Sequence, residues 1–134
     1  MASIFTRIVR GEIPAHKLAE DEQFLSFLDI NPLVEGHALV IPKQEIDRIF
    51  DLDDKLLGDL FAFAKKVAVG IEQVVECDRI GISVIGLEVP HAHVHLIPIR
   101  SVSDMNFARP KLNPTQEDLA RTASRIREAI DQIS

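Results

Sequence analysis

The chain has 134 residues, 46% of them apolar, with 15 Lys+Arg against 21 Asp+Glu and a formal net charge of -6. That is enough chain to bury its own core, and the acidic balance excludes non-specific binding to nucleic acid or anionic membranes, which needs surplus basic charge. The single cysteine, Cys77, excludes an intramolecular disulfide and a cysteine-based zinc site; with no long apolar stretch and no signal-peptide pattern, no membrane association and a cytoplasmic location are expected.

No repeat or Gly/Ser-rich linker divides the sequence, so residues 1–134 read as one domain. Residues 16–43 contain three short strands. The run Phe24-Leu25-Ser26-Phe27-Leu28 precedes the turn signal Asn31-Pro32, and Ala38-Leu39-Val40-Ile41 is stopped by Pro42. Over residues 53–75 the period becomes helical, with Leu56, Leu57, Leu60, Ala64, Val67, Ala68, Ile71, Val74 and Val75 on one broad face. Asp51 or Asp53 can cap the first turn. Gly58 and Gly70 each weaken the helix by roughly 1 kcal/mol relative to Ala, so packing has to hold it.

Residues 79–84 and 91–99 read as two further strands, with Pro90 and Pro98 near strand ends, where a missing amide donor does least harm. Thr115 and Asp118 form a capping box that opens a last helix at about 115–133. Its stripe of Leu119, Ala123, Ile126, Ile130 and Ile133 packs on the sheet or on a second subunit. Strands grouped around a long helix, rather than alternating with helices, predict an α+β fold with an antiparallel sheet.

Three of the five histidines fall at 91, 93 and 95. On a strand they share one face, as a row lining a surface, while Ala92, Val94 and Leu96 share the other face as core. Neighbouring imidazoles would lie roughly 6.6 Å apart and the outer two roughly 13 Å. Three nitrogens from one straight strand cannot easily converge on one ion, whose bonds are about 2.0–2.1 Å for zinc. A row of imidazoles suits a row of phosphate oxygens instead: the neutral ring is a nucleophile, and the protonated ring neutralises developing charge.

His91-Ala92-His93-Val94-His95-Leu96-Ile97 resembles the signature of the histidine triad (HIT) family. The likeness extends through Ile4-Phe5 with Ile8, residues 11–15, residues 27–32 and Gly36-His37-Ala38-Leu39-Val40-Ile41-Pro42-Lys43, and the tail around Met105-Asn106-Phe107 and Pro110-Lys111-Leu112 looks most like bacterial members. The resemblance implies a five-stranded antiparallel sheet with one long central helix and a C-terminal helix, in a homodimer whose two sheets run together. It also implies nucleotidyl hydrolase or transferase activity on purine nucleotide conjugates (phosphoramidates, adenylates or dinucleoside polyphosphates), with no cofactor. His93 would attack the α-phosphorus and carry the nucleotidyl group, His95 and His37 would sit beside the phosphate, and His91 would support His93 through its carbonyl. Asp29 would take the ribose hydroxyls, and Phe5, Ile8, Phe27, Leu28 and Ile30 the base. Read from the residues alone, Asp29 equally serves as a turn cap, and the apolar set equally serves as core.

Two departures stand out. Many family members carry Cys-x-x-Cys near the start, which helps to bind a structural zinc; Ser3 and Thr6 occupy those places, so no such zinc is expected. Before the triad the family commonly has Gly-Gln-x-Val-x-His with an upstream Asn, whereas this chain reads Ile85-Gly86-Leu87-Glu88-Val89-Pro90-His91. Glu88 either attracts an amine near the phosphate or is a solvated loop acid. Two other functions therefore stand beside the first: a nucleotide-binding regulatory module with little catalysis, and a histidine metal site.

Overall fold

The computed structural model describes residues 2–133. Five strands form one antiparallel sheet: β1 (Lys17–Glu20), β2 (Phe24–Leu28), β3 (Ala38–Pro42), β4 (Arg79–Ser83) and β5 (Val94–Ile99), in the spatial order β1-β2-β3-β5-β4. Three α-helices among the described residues complete the fold: α1 (Ile4–Val9), α2 (Asp54–Val74) and α3 (Gln116–Ile133). This is the α+β arrangement that the strand grouping predicts. None of the described helices is long and apolar enough to cross a membrane.

The alternation of β2 divides its side chains between two cores. Phe24 and Leu28 join Leu18, Ala38, Val40, Val94 and Leu96 beneath α2 and α3, where Leu60, Val67 and Ile71 of α2 and Ile126 of α3 are fully buried. Each such side chain contributes about 1.5–3 kcal/mol on burial. Leu25 and Phe27 point the other way and pack with Leu39, Ile41, Phe5 and Ile8 beneath α1. Ser26, the polar residue on the helix-covered side of β2, donates its hydroxyl to Leu39 O at 2.9 Å and so is buried without an unmet bond.

Asp53 caps α2 by accepting from Leu56 N at 2.8 Å. Thr115 and Asp118 exchange the two bonds of a capping box ahead of α3. The α3 stripe packs within the chain, against α2 and β1, and only Ile133 at its end stands exposed. Gly70 explains the close α2–α3 approach: a Cβ there would collide with the Ile130 side chain. Helix propensity is thus given up for contact.

Two elements differ from the sequence reading. Helix α1 falls in a segment that carries no predicted element; it is short, and is capped by the Ser3 side chain accepting from Thr6 N. The strand predicted over 91–99 begins only at Val94. Pro90 and a tight His91 N to Val89 O bond (2.8 Å) turn the chain just before the triad, and Ala92 N then donates to Ile46 O at 2.7 Å, beyond the end of β3. Pro98 sits inside β5, opposite Ile80 of β4, past the last residue paired with β3.

Candidate active site

The three triad histidines do not stand as an open row. His91 is completely buried, and His93 and His95 retain only 7% and 8% exposure. The bend before β5 and the insertion of Phe5 account for this. The Phe5 ring meets His91 edge-on at 5.8 Å and His93 at 5.0 Å between centroids, and it packs on Phe27 at 5.5 Å. His93 and His95 lie 5.0 Å apart between ring centroids.

Hydrogen bonds fix which nitrogen of each ring carries a proton. His93 Nδ1 lies 2.8 Å from His91 O, which can only accept, so Nδ1 bears the proton and Nε2 of the neutral ring keeps a free lone pair. A second chain starts from the backbone. Leu33 N donates to His37 Nδ1 at 3.0 Å, so neutral His37 is protonated at Nε2. That group donates to His95 Nδ1 at 2.9 Å, leaving His95 with its own proton on Nε2. Burial is the main reason both rings stay neutral: it lowers His37 to about 4 and His95 to about 3. In their neutral forms these rings leave one nitrogen lone pair without a hydrogen-bond partner among the described residues, on His93 Nε2, beside a ring that presents an N–H, on His95.

Asp29 follows β2, and its two oxygens have different partners. Oδ1 accepts from Asn31 N at 2.8 Å, the turn-capping role. Oδ2 lies 3.7 Å from His37 Nε2. Burial raises the carboxyl above its ordinary range. Gly36, at φ 89, turns the chain into β3, where a side chain would also strike Val75. Behind this turn a cavity of about 400 Å³ is lined by Asp29, His37, Leu112, Leu119, Arg121 and Arg125, and it does not include His93.

Of the residues expected to hold the base, Phe5, Ile8 and Phe27 come together in the core beneath α1. Leu28 faces the α2 side of the sheet instead, because β2 alternates through Phe27. Ile30 is 58% exposed, just beyond Asp29. Glu88 is exposed on the loop before the triad, near enough to act electrostatically on Asp29.

Residues to which the sequence reading gives no role in the site complete the surroundings. Phe107 lies edge-on to His95 at 4.9 Å and to His37 at 6.1 Å. Lys111 acts electrostatically on both Asp29 and His37, while its ammonium donates to the carbonyls of Phe107 and Arg109. The bacterial-type tail motif was the one available signal for these two. Ser3, Thr6 and Glu45 gather around His91; the sequence marks Ser3 and Thr6 only as occupants of the Cys-x-x-Cys places, and Glu45 not at all.

Asp29, His37 and His95 each offer one ligand atom within 4.8 Å of the others. His37 Nε2 already donates to His95 Nδ1, so the bonds in place here form a hydrogen-bond relay.

The family model for the HIT domain matches residues 10–102. The chain belongs to the histidine triad family. An uncharacterised HIT-like protein of Borreliella burgdorferi is 34% identical over 92% of this chain and 94% of its own. An adenosine 5'-monophosphoramidase of Schizosaccharomyces pombe is 42% identical over 73% of this chain and 74% of its own. Among solved structures, a zinc-bound histidine triad family protein from Mycobacterium smegmatis superposes with a TM-score of 0.85 at 28% identity, covering 99% of this HIT chain and 96% of that one.

Proposed function

We propose that this HIT protein hydrolyses or transfers the nucleotidyl group of purine nucleotide conjugates, phosphoramidates foremost, through a covalent nucleotidyl-histidine on His93. The observation that carries this reading is the His93 Nδ1–His91 O bond, which leaves Nε2 as the available nucleophile. The phosphoramidase name of the fission-yeast relative supports the substrate class.

In the first step His93 Nε2 forms a bond to the α-phosphorus, the phosphorus–nitrogen bond of the substrate breaks, and the amine departs with a proton from solvent. The modified ring keeps its Nδ1 proton and carries a positive charge, which the His91 carbonyl and the nearby Asp29 carboxylate stabilise. The His95 Nε2–H, oriented through His37 from the Leu33 amide, hydrogen-bonds a phosphoryl oxygen. In the second step water attacks the phosphorus, the His93–phosphorus bond breaks, and the water's second proton leaves to solvent. Splitting one displacement into two is the gain from covalent catalysis. Asp29 Oδ2 is the acceptor for ribose hydroxyls, and Phe5, Ile8, Phe27 and Ile30 form the apolar side of the base site.

A homodimer joined along β4 fits the same reading. That strand is a sheet edge, Ile82 on it is 54% exposed, and a groove of mixed character runs beside it, with Phe61, Ala68 and Ile80 among Lys65, Glu72 and Arg79.

The test is intact-mass detection of a nucleotidyl adduct after mixing with an adenosine phosphoramidate, together with His93→Ala. The adduct should map to His93, and the variant should bind AMP while losing turnover by at least about 10³-fold. Turnover at the parent rate in His93→Ala would end the covalent reading. The position of the usual Gln is held by Leu87, 88% exposed, and this favours one second reading, a nucleotide-binding regulatory module. AMP binding with no adduct and no release from any adenylate conjugate would establish it.

A further inference from the structure

We propose that Ser3, Thr6 and Glu45 form a hydrogen-bonded clamp that orients His91 and, through the His91 carbonyl, holds the reactive nitrogen of His93 in place. The catalytic consequence rests on the reading of His93 as nucleophile. The clamp itself rests on the bonds around His91.

The fully buried His91 ring bridges two elements. Its Nε2 lies 2.8 Å from the carbonyl of Pro42, at the end of β3, so Nε2 donates. Burial lowers its pKa, and in the neutral ring Nδ1 must then accept. The Ser3 hydroxyl, 2.8 Å away, is the donor; the Thr6 oxygen also lies 3.3 Å from Nδ1, with its one proton directed to Glu45. Ser3 Oγ in turn accepts from Thr6 N at 3.0 Å. Thr6 Oγ1 donates to Glu45 Oε1 at 2.5 Å, and the same carboxylate oxygen accepts from Ser3 N at 2.7 Å. The Ser3 amide first and the Thr6 hydroxyl second hold the Glu45 carboxyl down to about 2, so it is ionised throughout the neutral range. Every donor in the cluster has an acceptor. With its ring fixed at both nitrogens, His91 has no freedom to swing its carbonyl away from His93 Nδ1.

The zinc that many HIT proteins hold with Cys-x-x-Cys does not fit this cluster. Structural zinc is held mostly by thiolate sulfur and imidazole nitrogen. Here two neutral hydroxyls take the cysteine places, and the atoms turned toward one another are already spent on mutual bonds. In this chain the hydrogen-bond network joins α1 to the triad in the place where a metal would.

The test uses full-length Ser3→Ala, Thr6→Val and Thr6→Ser. Thr6→Val keeps volume and loses the hydroxyl, and Thr6→Ser keeps the hydroxyl. Nitrogen-15 NMR of the histidine rings reads the His93 Nδ1 proton and its exchange with water, and steady-state kinetics with an adenosine phosphoramidate read kcat and KM. Ser3→Ala and Thr6→Val should speed His93 Nδ1 proton exchange about tenfold or more and lower kcat about tenfold, with KM within about twofold of the parent. Thr6→Ser should restore both. Zinc chloride added to the parent should leave the His91 ring signals unmoved.

A purely structural role would lower the melting temperature of Thr6→Val while exchange at His93 stayed at the parent rate, and that result overturns the clamp. One equivalent of zinc captured at the His91 ring overturns it too. If Ser3→Ala does not fold, the Thr6 pair decides on the same readouts. If the parent turns over no phosphoramidate, the proposed function falls, and His93 exchange still decides the clamp.

Discussion

Lowering the pH from 7 toward 4.5 forces protons toward two rings, His37 and His95, that the fold holds neutral. Burial lowers their folded values to about 4 and about 3, against about 6.5 for an unfolded histidine. Between those limits the unfolded chain binds more protons, so stability is fully present above about pH 6.5 and falls as the pH drops. Each ring contributes a slope approaching 1.4 kcal/mol per pH unit, about 2.7 kcal/mol per unit for the pair. His91, lowered in the same direction, adds to that slope. Asp29 works the other way: its raised pKa lets the folded state take a proton more readily and offsets part of the loss near the acid end. Carboxyls held low, such as Glu20 and Glu45, enter only below about pH 4.5.

Against a total of about 5–15 kcal/mol for a domain of this size, one pH unit removes a large share. Urea unfolding followed by far-ultraviolet circular dichroism, at pH 7, 6, 5.5 and 5, measures it without the tryptophan this chain lacks. His95→Asn keeps an acceptor for His37 Nε2 and deletes one titrating ring, so its slope should be shallower by about 1.4 kcal/mol per unit. A parent slope below about 1 kcal/mol per unit between pH 6 and 5, or an unchanged slope in His95→Asn, would refute the neutral-relay argument.

Other perturbations test separate parts of the molecule. Gly70→Ala should destabilise by about 1–3 kcal/mol, because forcing a methyl against Ile130 outweighs the helix-propensity gain; chemical denaturation reads it. Lys111→Met should raise KM for an anionic nucleotide conjugate about three- to tenfold with a smaller change in kcat, in steady-state kinetics. The proposed β4-edge homodimer predicts a dimeric parent in sedimentation velocity and a monomeric Ile82→Asp with an unchanged circular dichroism spectrum.

Most of the architecture was legible because its signals are periodic. The apolar run 24–28 before Asn31-Pro32 marks β2, and the three-four spacing of 53–75 writes α2 almost to the residue, with Asp53 as its cap. Proline and local competition limited the rest. The triad was legible as a family motif, but its geometry was not, since Pro90 and the Ala92–Ile46 bond bend the chain ahead of β5. Helix α1 has too few residues to display a period. Ser3, Thr6 and Glu45 act on His91, and Phe107 edges onto His95; each pairing is made by tertiary packing, and a serine, a threonine or a phenylalanine alone announces none of it.

Phe5 has a consequence for the order in which this protein becomes competent. The ring wedged among the triad belongs to the opening segment of the chain, and neighbouring Ser3 bonds to a residue 88 positions away. Contacts of such long sequence separation close late in folding, after local helices and hairpins have formed. A nascent or partly folded chain can therefore own α2 and the β2–β3 hairpin without owning a site. Recovery of nucleotide chemistry during refolding should lag the recovery of helix signal, which makes activity a clock for the final docking of the N-terminal segment.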